Sequence, residues 1–148
     1  MPKPQDIRKV REQTRAEHEE LRELLGAVQR TLAKRLASVA HVAEMLENLN
    51  EQLCTHFATE EDTGGFFDEV IREAPRLTER AEAVRLEHSQ LGHAMRELRT
   101  CAENESAGDW WKQLEAKFQD FANQLLQHEN QESELLLDAL ADDIGTKD

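Results

Sequence analysis

The chain has 148 residues, 31 acidic against 18 basic, and a formal charge of −13. Such a charge repels nucleic acid and anionic membrane surfaces, so neither is an expected partner. Three prolines, six glycines and no tyrosine, with Leu, Ala, Glu, Gln and Arg prominent, predict an all-α protein forming one domain over 1–148, large enough to bury a core without disulfides. The start, Met1-Pro2-Lys3-Pro4-Gln5-Asp6, has no apolar export stretch, and no run of about 18 apolar residues occurs, so the expected location is cytoplasmic. In that reducing setting Cys54 and Cys101 read as free thiols, half-buried or buried, with no chemistry of their own.

Breaks near Ala37-Ser38, from Thr63-Gly64-Gly65 on to Ala74-Pro75, and from Asn104 to Asp109 divide the chain into four helical segments. Ser38 is placed to cap the second, Gly64-Gly65 to stop it, Pro75 to open the third, and Ser106 or Asp109 to cap the fourth. In the first segment Ile7, Val10, Thr14, His18, Leu21, Leu25, Val28, Leu32 and Leu36 recur at alternating steps of three and four, the period of a bundle seam. The second repeats the pattern with Val42, Leu46, Leu49, Leu53, His56 and Glu60. The third carries Leu77, Ala81, Val84, His88, Leu91, Met95 and Leu98. The fourth carries Trp111, Leu114, Phe118, Phe121, Leu125, His128, Glu132, Leu135 and Ala139. An antiparallel up-down-up-down four-helix bundle follows, with one histidine per helix pointing inward.

His18 precedes the Ser38 turn by about as many residues as His56 follows it, and His88 and His128 straddle the last break, so the four converge on one level. A single histidine in a helical core is most simply a hydrogen-bonded structural residue. Four imidazoles and two carboxylates buried together would instead cost several kcal/mol per unpaired charge unless protons, hydrogen bonds or metal ions compensate them. Both His56-Phe57-Ala58-Thr59-Glu60 and His128-Glu129-Asn130-Gln131-Glu132 read HxxxE, which sets an imidazole and a carboxylate one turn apart on the same helix face. The six residues His18, His56, Glu60, His88, His128 and Glu132 are too many for one closed tetrahedral zinc site. They suit two metal ions with three protein ligands each and open positions for a small ligand, a donor set fitting iron and open also to zinc or manganese.

Other residues separate from the site on position alone. His41 stands at the start of its helix, and His93 is turned about 140° from His88. Glu17, Glu61, Glu87 and Glu129 adjoin the candidate ligands but turn about 100° away, as solvated charges or partners of the ligands; Glu61 is the expected choice if a third carboxylate reaches the metal. Phe66-Phe67 are placed as a hydrophobic plug near the site, with a lid as the sharper reading, and Trp110-Trp111 as packing far from the histidines.

This pattern of His, HxxxE, His and HxxxE over four helices resembles the hemerythrin-like, or HHE cation-binding, family across nearly the whole chain. The resemblance implies a non-haem diiron centre, oxo- or hydroxo-bridged, with Glu60 and Glu132 as bridging glutamates. The chain departs from oxygen-carrying members at two places. Gly92 stands where they carry a second histidine of the third helix, and Glu132 follows His128 by four residues where they have an aspartate at five. Either an opened corner or close helix packing accounts for Gly92. The expected function is binding or sensing of O2, NO or peroxide at a diiron centre. The alternatives are an enzyme turning over peroxide or nitric oxide and an iron-storage or iron-homeostasis protein; no separate acid, base or nucleophile group supports catalysis.

Overall fold

The computed structural model of the chain describes residues 7–105 and 108–145. It contains α1 (Ile7–Lys34), α2 (Val39–Glu61), a short α3 (Phe66–Glu73), a 3-10 turn (Pro75–Leu77), α4 (Thr78–Glu103) and α5 (Trp110–Gly145). Among the described residues no strand occurs. The long helices touch in the order α1, α2, α4, α5 and back to α1, the square section of an up-down-up-down bundle. None of the described helices is long and apolar enough to cross a membrane.

The turns form for local reasons. Ser38 sits in extended backbone and its hydroxyl accepts the His41 N–H at 3.1 Å, capping α2. At the other end of α2, Gly64 has φ +75°, which glycine adopts without strain. At Gly65 an added Cβ would lie 2.3 Å from the Thr59 carbonyl oxygen, so the turn folds tightly back on α2. Pro75 opens the 3-10 turn that leads into α4. Asp109 precedes α5 with φ +59°, and its carbonyl accepts the Gln113 N–H; Ser106, the other expected cap, lies outside the described residues.

Three expectations are corrected. The break between the second and third segments contains α3, whose eight residues are too few to show a helical period in the sequence. It carries Asp68 and Glu69 in its first turn and Arg72 in its last, in keeping with the helix dipole. Leu36 is 87% exposed, because α1 ends at Lys34 and Arg35 takes φ +54°, which swings the chain off the seam. Trp110 is buried more deeply than Trp111, since its indole Nε1 donates to the Cys101 and Ala102 carbonyls at the end of α4.

The apolar core falls into two clusters. The larger fills the end holding the α1–α2 and α4–α5 turns, around Leu49, Leu98, Leu114 and Leu125, each fully buried. The smaller joins the start of α1 and the last turns of α5 to α3, with Phe66, Phe67 and Val70 at its centre. Because α3 touches all four long helices, it closes that end of the bundle, as expected of a hydrophobic plug. Each buried leucine contributes about 1.5 to 3 kcal/mol relative to exposure. Between the clusters lies one polar layer.

Candidate metal centre

The periodicity that buries leucines above and below also buries His18 of α1, His56 and Glu60 of α2, His88 of α4, and His128 and Glu132 of α5; none is more than 8% exposed. Their ligand atoms form two groups. His18, His56, Glu60 and Glu132 make one, and Glu60, His88, His128 and Glu132 the other, with the atoms of each group within 4.8 Å of one another. Rings pair accordingly, His18 with His56 at 5.3 Å between centroids and His88 with His128 at 5.0 Å.

The two glutamates belong to both groups, and their oxygens divide between them. Glu60 Oε2 lies 3.4 Å from His56 Nε2 and its Oε1 3.2 Å from His88 Nε2. Glu132 Oε1 lies 2.9 Å from His18 Nε2 and 3.9 Å from His56 Nε2, with its Oε2 3.4 Å from His128 Nε2. Hydrogen bonding does not satisfy these atoms. His56 Nε2, His88 Nε2, His128 Nε2, both Glu60 oxygens and Glu132 Oε2 are buried without a hydrogen bond of acceptable geometry. Several unpaired polar atoms converging on one point, borderline nitrogens and hard oxygens together, fit a metal ion far better than a structural network.

Around this layer stand the outer carboxylates. Glu17 of α1 meets His56 Nδ1 at 2.5 Å, Glu87 of α4 meets His128 Nδ1 at 2.8 Å, and Glu61 of α2 lies 3.4 Å from His88 Nδ1. Each reaches from one helix to the histidine of the next. On His56 and His128 a proton on Nδ1 shared with the carboxylate leaves the Nε2 lone pair facing inward, the tautomer a metal ligand needs. Glu61 belongs to neither ligand group, its side chain is 45% exposed, and its contact with His88 Nδ1 is not a hydrogen bond. Glu129, expected at the margin, is wholly buried; Arg22 Nε donates to its Oε2 at 3.2 Å and its Oε1 is unpaired.

Protonation follows from this crowding. Burial and the charge of Glu132 push Glu60 well above the usual carboxylate range. Burial acts the same way on Glu132, but the adjoining Glu60, His128, His18 and His56 side chains outweigh it and hold that carboxyl well below. Burial opposes charge on His56, yet the nearby carboxylates of Glu132 and Glu17 raise it to about 9. Burial and the neighbouring His128 lower His88 to about 4. In the metal-free layer protons therefore do the compensating that a cation does when bound.

Residues expected to stand apart do so. His41 is exposed, and His93, with its side chain 65% exposed, lies 3.2 Å from Glu97 on the outside of α4. Cys101 is partly buried, but Cys54 is exposed, contrary to expectation, and both are free. Gly92 is not a packing glycine: an added Cβ would meet only Arg96 Nη1, at 3.7 Å. The aromatic that guards the centre instead is Phe57, stacked on His88 at 3.8 Å with the planes 10° apart, on the side of the larger apolar cluster. Phe67 meets His88 from the α3 side, at 5.5 Å. Sequence periodicity does not single out Phe57, which follows His56 and stands off the seam.

No curated protein and no solved structure matches the chain. The hemerythrin HHE cation-binding domain matches residues 9–140, the span holding every histidine and glutamate of the buried layer, and the chain belongs to that family.

Proposed function

We propose that the chain binds two iron ions, one between His18 and His56 and one between His88 and His128, with Glu60 and Glu132 shared, and that it binds or senses O2, NO or peroxide there. The observation carrying this reading is the division of each glutamate's oxygens between the two histidine pairs. Bound iron would supply redox-active coordination positions for a small ligand. The chain's own residues supply the rest. Glu17 and Glu87 hold the outer ring nitrogens of His56 and His128, the two glutamates offset cationic charge, and the apolar clusters with Phe57 and Phe67 keep bulk water from the layer. The cytoplasmic location read from the sequence is part of this proposal, and the two free thiols accord with it.

The test is metal analysis after anaerobic titration with ferrous iron, coupled to absorption spectra before and after air or nitric oxide is admitted. Two irons per chain and a new visible band are the expected result. Less than one iron per chain, or uptake unchanged in His56→Ala, refutes the reading. Sustained turnover of peroxide or nitric oxide would identify a catalyst in place of a binder or sensor.

A further inference from the structure

A cavity of about 80 Å³ opens beside the Gly64-Gly65 turn, where α1 meets the end of α2. Of the acidic residues that line it, Asp62 is exposed, Glu17 partly exposed and Glu60 2% exposed, so its wall joins solvent-facing residues to one glutamate of the buried layer. Gln13, Thr14 and Thr59 add polar walls, and no basic residue lines it, although the chain has 18. Both oxygens of Glu60, the buried one of these acidic residues, lack a hydrogen bond.

We propose that this cavity is the inlet through which a divalent metal ion reaches the buried layer, captured at Asp62 and handed on to Glu60; the proposal rests on the metal-binding reading above. Size and charge support it. A space of about 80 Å³ admits a few waters or one partly dehydrated ion. Asp62 and Glu17, both lining the cavity, draw a cation inward and repel anions, as charge-lined clefts do. The other openings are less suited. A groove reaching His18 is lined by Arg11, Arg15 and Arg22, which repel a cation. Grooves reaching His56, beside Glu17, Glu20 and Glu51, and His128, beside Glu87, each carry the carboxylate that already holds that ring's Nδ1 and include neither Glu60 nor Glu132.

The experiment measures the rate of ferrous iron uptake by the full chain, anaerobically, with rapid chelator quenching. Asp62→Lys is compared with Glu51→Lys, which makes the same charge change, from −13 to −13 + 2 = −11, at the rival groove. Asp62→Lys should slow uptake about tenfold at low ionic strength, a difference that shrinks in high salt, while final iron content stays at the wild-type value. Asp62→Asn should slow uptake less, which guards against disturbance of the turn by lysine. Equal rates for the two lysine variants, or a lowered final iron content in Asp62→Asn, would overturn the inlet. No iron uptake by the wild-type chain would instead remove the metal-binding reading on which it stands.

Discussion

Replacing Glu60 by methionine tests whether the polar layer exists for metal or for stability. Glu60 is 2% exposed, carries a raised carboxyl and has neither oxygen satisfied. Leaving such a group unpaired costs about 1 to 3 kcal/mol, and methionine matches its unbranched shape without a buried polar oxygen. His56 and His88 lose a neighbour at 3.4 and 3.2 Å, but neither contact is a hydrogen bond of good geometry. The metal-free variant should therefore gain about 1 to 2 kcal/mol, which for a chain of this size raises Tm by roughly 3 to 6 °C. With ferrous iron the order reverses. Wild-type protein at a hundredfold excess over Kd gains about 2.7 kcal/mol, roughly 9 °C, and the variant, lacking a shared carboxylate, gains little. Melts by circular dichroism, in chelator and in anaerobic ferrous iron, measure both. A variant destabilised in chelator by more than about 1 kcal/mol, or one retaining the whole iron shift, refutes the reasoning.

Three further outcomes follow from the same geometry. Glu87→Ala removes the partner of His128 Nδ1 at 2.8 Å and should weaken iron binding about 10- to 100-fold at unchanged stoichiometry, read by competition with a chelator. From pH 6.5 to 9 the metal-free protein should lose stability, because His56, raised to about 9, keeps a proton that the unfolded chain releases, and Glu60 is raised as well. Iron affinity should rise over that same window, since binding needs the neutral ring, and parallel pH profiles of Tm and affinity would refute the assignment. Leu49→Ala, at a fully buried position in the larger cluster, should cost about 2 to 5 kcal/mol with and without iron, leaving the iron-induced shift in Tm intact.

What the sequence made legible was whatever depends on one helix at a time. A step of three or four residues identifies which side chains face inward, so His18, His56, Glu60, His88, His128 and Glu132 stand out on sight, and the structure buries all six together. The roles of Glu17, Glu61 and Glu87 depend on the order of helices around the bundle. Turned about 100° from the seam, each faces a flank that is solvent in isolation and the next helix's histidine in the fold. Glu129 hides on a flank for the same reason, beneath Arg22 of another helix. Leu36 shows the converse: its spacing continues the stripe, but the backbone turns at Arg35 before the helix reaches it.

The separation of the apolar core into two clusters bears on how the molecule comes apart. Side chains of the larger cluster pack with one another, those of the smaller with α3, and between them lies a layer of buried polar atoms that hydrogen bonding leaves unsatisfied. Amide exchange should register this as two protection classes in chelator, with the end bearing α3 opening at lower free energy, because it has the smaller cluster and the shortest helix. Metal spanning all four long helices would merge the classes into one. The amount of iron in the surroundings would then set the cooperativity with which this bundle unfolds, as well as its occupancy.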